Sequence, residues 1–333
     1  MSVSDAPTDL RSLYRMMCRI QAFEERAERA FADGSIVGAL HVSIGQEAVA
    51  AGVCAHLGDR DLITSTHRGH GHALAKGVDP TAMMCELLGR VGGTCGGKGG
   101  SMHIADLRRG MLGANGIVPD GLTVAVGAAH SLALRGVDAV VVSFFGDGGI
   151  NRGPFLEGLN WASIHSLPVL FVCEDNGFGS TTRTAAMTAG AGAVARARAL
   201  AVPAREVDGN DAELVTAAAG ELIGEIRRGG GPRLLLARTY RLRGHTANDP
   251  AAYRDAAEVA DAELVAALPR AAAALARAGV GGDELAADRA AAGAEMDTVL
   301  AAAITAPFPG LEAAYTDVQD AGAGDPGAPA WAY

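Results

Sequence analysis

Positive charge is in short supply: 28 Lys and Arg stand against 38 Asp and Glu in 333 residues, a formal net charge of −10. That deficit excludes a binder of nucleic-acid backbone, whose affinity comes from clustered cations. No apolar run reaches the roughly 18 residues that a membrane helix requires. Met1 to Asp9 is polar and acidic rather than the basic start of a signal peptide. These absences point to a cytoplasmic protein with no nucleic-acid or membrane partner. The five cysteines (Cys18, Cys54, Cys85, Cys95, Cys173) are odd in number and form no CxxC pair, which favours reduced thiols over a disulfide or zinc framework. What is present, 49% hydrophobic and 20% charged residues, suits a chain that buries a large core.

Glycine is the abundant exception, 45 residues, or about twice ordinary usage. It gathers at 89–116, at 146–153 and around Gly177 and Gly179, and thins out in the Ala-rich stretch 256–303. Leu10, Leu13, Met17, Ile20 and Phe23 recur at three- and four-residue spacing until Asp33-Gly34, which predicts an amphipathic opening helix within residues 1–34. From Val137 the chain reads VDAVVVSFFGD, PFLEGLNWASIHS and LPVLFVCEDN: an apolar run, an amphipathic stretch and a second apolar run. That is the pattern of a βαβ unit with parallel strands buried on both faces. REVDGND, a helical stretch from Ala212 to Arg228, and PRLLLARTY supply another unit. The expected fold is α/β, a doubly wound, mostly parallel sheet over 35–255, with Ala-rich helices over 256–321 packed on it and a loose tail over 322–333.

In such a sheet, ligands bind beyond the carboxyl ends of the strands. The two apolar runs end in Gly146-Asp147-Gly148-Gly149 and Glu174-Asp175-Asn176-Gly177, and 176 − 147 = 29 residues is the length that sets two parallel strand ends side by side. Asp147 and Asn176 are therefore candidates for one oxygen-ligand site, and a carboxylate plus an amide oxygen among glycines suits Mg²⁺. The competing reading of GDGG is an ordinary tight turn. GDGGINRG does not make a dinucleotide fingerprint, because Asn151 stands where the third glycine would be. Gly92 to Lys98 fits GxxxxGK, but Gly99 follows where a phosphate loop needs Ser or Thr. His67, His70 and His72 resemble a metal cluster, yet Arg68 lies among them.

The stretch GDGGINRGPFLEGLNWASIHSLPVLFVCEDN resembles the thiamine-diphosphate motif. FEERAERAFADGSIVGALHVSIGQEA, STHRGHGHALAKG, GGKGGSMHIAD, LGANGIV and TYRLRGHTANDP extend the likeness over Met17 to about Arg254. Together they resemble the alpha subunit of the two-subunit 2-oxo acid dehydrogenase first component, a group with pyruvate, branched-chain and acetoin members. The resemblance implies the thiamine-diphosphate-binding fold, with thiamine diphosphate and Mg²⁺ as cofactors. Asp147, Asn176 and the carbonyl of Phe178 would hold the metal. Gly146, Gly148, Gly149 and Arg68 would meet the cofactor's diphosphate, and His67 and Gly179 would also contact the cofactor. Gly116 and Val118 would meet the aminopyrimidine, and His70 and His245 would face the reacting carbon, where a group titrating near neutrality can pass protons. For His70 and Val118 the plainer alternatives are a loop hydrogen bond and core packing. Lys98 reads equally as a phosphate contact or a solvated loop lysine.

Some positions depart from the family. Asp175 replaces the first of its paired asparagines, His67 replaces an aromatic of many pyruvate members, Arg243 stands where some members have histidine, and GIVPDG and GFGSTT are unusual. The resemblance also implies a partner: the glutamate that activates the aminopyrimidine comes from a beta subunit, giving an α₂β₂ assembly. The acyl unit then passes to a lipoyl-bearing acyltransferase. THRGHGH, SMHIAD and LGANGIV look closer to the acetoin branch than to the pyruvate branch, with branched-chain substrates third. A nucleotide-dependent oxidoreductase and a catalytically silent scaffold subunit are the readings from other classes.

Overall fold

The computed structural model describes residues 9–317. Helix α1 (Leu10–Ala32) starts where Asp9 accepts a hydrogen bond from the Ser12 amide, and it buries Leu13, Met17, Ile20 and Phe23, the face set by the sequence period. Then follow α2 (Glu47–Cys54), β1 (Leu62–Thr66), α3 (His70–Ala75), α4 (Pro80–Leu87), β2 (Met111–Asn115), α5 (Gly121–Leu134) and β3 (Val141–Gly146). Next come α6 (Gly153–Ile164), β4 (Val169–Asp175), β5 (Phe178–Gly179), β6 (Thr182–Arg183), α7 (Thr184–Met187) and α8 (Gly192–Ala199). The chain continues through β7 (Ala204–Asp208), α9 (Ala212–Glu225), β8 (Arg233–Arg238), α10 (Ala256–Leu264), α11 (Ala267–Arg277) and α12 (Gly282–Thr305). The tail expected over 322–333 lies outside the described residues.

Six strands form one sheet in the order β2-β1-β3-β4-β8-β7, every pair parallel. Both expected βαβ units are present, β3-α6-β4 and β7-α9-β8. Alternate residues of the central strands feed two separate cores. Val142, Phe144, Leu170, Val172 and Leu235 face the core shared with α1, α2, α4, α9, α11 and α12. Val141, Phe145, Val169, Phe171 and Leu234 face the core shared with α5, α6 and α8. This is a doubly wound α/β sheet, covered on both faces as parallel strands require. The strand order reverses between β1 and β3, which opens a crevice at their carboxyl ends. No helix among the described residues is long and apolar enough to cross a membrane.

Candidate cofactor site

Three strand ends meet at this crevice. β1 runs into His67-Arg68, β3 into Asp147, and β4 into Asn176. β3 and β4 stay in register as far as Gly146 opposite Glu174, so the 29-residue spacing does set the two polar ends side by side.

Asp147 is 4% exposed. One carboxylate oxygen accepts the hydroxyl proton of Thr184, whereas Oδ1 is buried without a partner. Burial pushes its pKa up to about 7; the Thr184 hydrogen bond works against the rise, and the nearby Asp175 carboxylate adds to it. A buried anion with an orphaned oxygen is the state that a cation would relieve. Asn176 donates from Nδ2 to Gln46 Oε1 at 3.1 Å, and its Oδ1 accepts the Phe178 amide at 3.1 Å, leaving a second lone pair on that oxygen. Asp175, the departure from paired asparagines, accepts the Gly177 amide and sits 3.5 Å from Arg238, so its own charge is partly met.

His67, Arg68, Val118, Gly146, Gly148, Gly149, Asn176, Phe178 and Gly179 line one cavity of about 80 Å³, together with Gln46 and Arg241. Asp147 borders a neighbouring cavity with Asp175 and Thr184. Gly116 is exposed, within reach of Met102 and His103. The glycines after β3 are required by close approach: a Cβ on Gly148 would lie 3.0 Å from Gly179 Cα, and one on Gly149 would lie 3.0 Å from Pro119 Cβ.

Two arginines are buried in the same wall. The Arg68 guanidinium donates to the carbonyls of Val42 and His245, and Arg241 to the carbonyls of Arg243 and Ser180 and to the Tyr253 hydroxyl. Among the described residues neither forms an ion pair. Burial, followed by the positive charge of Arg241, lowers the Arg68 pKa to about 9. Two unneutralised guanidiniums, an orphaned carboxylate and a glycine turn without side chains fit a metal-bound diphosphate: the cations meet the anionic oxygens, and the carboxylate meets the metal.

Three histidines gather at the crevice. The ligand atoms of His41, His67 and His245 lie within 4.8 Å of one another, and the rings meet edge-on at centroid distances of 4.6, 5.0 and 5.7 Å. Burial, followed by the charge of Arg68, lowers their pKa values to about 3, 2 and 4, so all three imidazoles are neutral at pH 7. The same Arg68 charge opposes a dication among them.

His70 does not join this group. It is fully buried, with Nδ1 2.7 Å from Glu24 and Nε2 2.9 Å from Ser101, so neither ring nitrogen is free. His72 stacks on Phe144 and bonds to Ser65 and Glu174. The sequence cluster of His67, His70 and His72 is thus dispersed to three places. Lys98 is an exposed loop lysine, as one of its two sequence readings had it, and bonds to Thr316 and Asp317.

Sequence reasoning passed over His41, Gln46, Thr184 and Arg241. The first two stand in HVSIGQEA and the last in TYRLRGHTANDP, inside segments that carried the resemblance. Thr184 lies in the unusual stretch after Asn176 and had no signal.

Residues 14–303 match the family described as Dehydrogenase E1 component. The chain belongs to that family. Among curated relatives it is 49% identical over 252 residues to the alpha subunit of acetoin:2,6-dichlorophenolindophenol oxidoreductase from Cupriavidus necator, covering 76% of each chain. It is 50% identical over 242 residues to the protein of that name from Bacillus subtilis, covering 73% of each. Against the pyruvate dehydrogenase E1 component subunit alpha of Zymomonas mobilis the identity is 40% over 254 residues, covering 76% of this chain and 72% of the relative. The chain is thus an oxidoreductase subunit of the E1 type.

Proposed function

We propose that the chain is the alpha subunit of an α₂β₂ enzyme that binds thiamine diphosphate through Mg²⁺, cleaves acetoin, and passes the acyl unit to a lipoyl-bearing acyltransferase. The observation that carries this reading is the pairing in one crevice of the orphaned Asp147 carboxylate with two buried guanidiniums that lack counter-ions. The choice of acetoin rests on identities of 49% and 50% to acetoin-enzyme subunits against 40% to a pyruvate-enzyme subunit. Pyruvate is the second reading, supported by that same pyruvate-enzyme relative.

When bound, thiamine diphosphate supplies a carbon nucleophile that breaks a bond next to a carbonyl. The chain's own residues bind and orient it. Asp147 and the Asn176 side-chain oxygen would hold Mg²⁺, with the Phe178 carbonyl as a third ligand. Arg68 and Arg241 would neutralise the diphosphate oxygens that the metal leaves free. Gly148 and Gly149 keep that backbone bare of side chains, so their amides can approach the phosphates. Val118 would press on the cofactor from the crevice wall. His67 and His245, with His41 behind them, present neutral imidazoles, which donate or accept a hydrogen bond at the substrate oxygen without placing a charge there. A proton reaching His70 would have to move through Glu24 or Ser101, its two partners.

The test is co-expression with a candidate beta subunit, followed by assay of acetoin, pyruvate and branched 2-oxo acids with an artificial electron acceptor. The expected result is turnover of acetoin above pyruvate, and no turnover by the alpha chain alone. Turnover by the isolated chain would overturn the two-subunit reading.

A further inference from the structure

The glycine-rich stretch from Gly92 to Gly100 reads from sequence as a pliable loop near the site, and none of it lines the cofactor crevice. Its amides nevertheless converge on one side chain. Glu86, in the last turn of α4, is fully buried. Its Oε2 accepts the amides of Cys95 at 2.7 Å and Gly97 at 2.8 Å, and its Oε1 those of Gly99 at 2.6 Å and Gly100 at 3.1 Å. Four N–H donors meet the four lone-pair positions of a carboxylate. Such wrapping requires bare backbone: a Cβ on Gly93 would stand 2.4 Å from Glu86 Oε2, and Gly97 adopts φ +75°. Among the described residues Glu86 makes no ion pair, so the loop is its only counterpart.

The loop ends at Ser101, which is buried and 2.9 Å from His70 Nε2, while His70 Nδ1 is 2.7 Å from Glu24. We infer that Glu86 is a positioning residue for the reaction: by gathering the loop amides it sets Ser101 against His70, two residues after the crevice-lining Arg68, and so completes a buried Glu24–His70–Ser101 chain of hydrogen bonds. The inference rests on the proposed function for its activity readout but not for its structural one. Glu86→Gln is the discriminating change, because it keeps the shape while turning an NH₂ toward two amide donors.

The experiment compares Glu86→Gln, Ser101→Ala and the double variant in the assembled enzyme. The expected results are a kcat lowered at least about tenfold in each single variant, a double variant no worse than the poorer single, and a thiamine diphosphate Kd within about twofold of wild type. Hydrogen–deuterium exchange across 93–101 should lose its protection in Glu86→Gln. Additive losses in the double variant, or an unchanged kcat in Ser101→Ala, would overturn the inference. So would retained protection in Glu86→Gln, which can be read even if wild type turns over none of the tested substrates. In that case the proposed function fails on its own.

Discussion

Asn176 and Gln46, 130 residues apart, are joined by a hydrogen bond of 3.1 Å from the asparagine NH₂ to the glutamine carbonyl. Both side chains are buried, so this bond decides which way the Asn176 oxygen points. Replacing Gln46 with Ala removes the acceptor and frees the amide to turn. The expected effect is a Mg²⁺–thiamine diphosphate Kd raised about tenfold, the scale of one buried hydrogen bond at a ligand. Calorimetric titration of the alpha chain measures it. An unchanged Kd would take Gln46 out of the site.

Asp147 carries the strongest prediction. A ligand's outer hydrogen-bond partner typically contributes about 10- to 100-fold to metal affinity, so losing the carboxylate itself in Asp147→Asn should cost at least roughly 100-fold. Stability should move the other way. The folded pKa of Asp147 is raised to about 7 from an ordinary 3.8, so between those values the folded chain holds a proton that the unfolded chain has lost. Stability from this group therefore falls as pH rises from about 4 to 7. Without cofactor, Asp147→Asn should be the more stable protein at pH 8, by on the order of 2 kcal/mol, with the gap closing toward pH 4. Urea unfolding at both pH values would show this, and a less stable variant at pH 8 would argue against a strained Asp147.

What the sequence exposed and what it hid follow the same physics. β3, β4 and β8 were readable because strands covered on both faces become continuous apolar runs, VVSFFG, VLFVCED and RLLLAR. β1 (LITST) and β2 (MLGAN) lie toward one edge of the sheet and carry no such run, so no period marks them. Asp147 and Asn176 could be placed side by side from sequence because their separation equals one βαβ passage. Thr184 and Arg241 were not, since their approach to the crevice depends on how loops after β4 and β8 fold back, a long-range outcome with no local signature. For His70 the motif implied a place facing the reacting carbon and carried no sign of the Glu24 and Ser101 bonds that occupy both ring nitrogens, which come from segments 46 residues before and 31 residues after it.

Gly148 tests the backbone cradle. An alanine there places a methyl group 3.0 Å from Gly179 Cα, backbone against backbone, so the turn after β3 and strand β5 must part by a few tenths of an ångström. That shift opens the contact between the elements holding Asp147 and Phe178. Gly148→Ala should weaken cofactor binding about tenfold or more while the apo chain loses roughly 1–2 kcal/mol, the usual cost of overpacking. Thermal unfolding and calorimetry together separate the two effects. Wild-type affinity in the variant would mean that the phosphates do not approach this turn.

His67 tests the neutral imidazole group. Its folded pKa is lowered to about 2 from an ordinary 6.5, first by burial and then by the Arg68 charge. Between those values the unfolded chain binds a proton that the folded chain refuses, so stability from this residue is complete above about pH 6.5 and declines as pH falls. His67→Gln removes that proton linkage. The wild type should lose stability relative to the variant by at most about 1.4 kcal/mol per pH unit below pH 6.5, and the difference between the two should be constant above it. Urea unfolding of both proteins at pH 5, 6 and 7.5 gives the comparison. Parallel curves throughout would mean that His67 takes up its proton in the folded chain as readily as in the unfolded one, so that burial and the Arg68 charge do not hold this imidazole neutral.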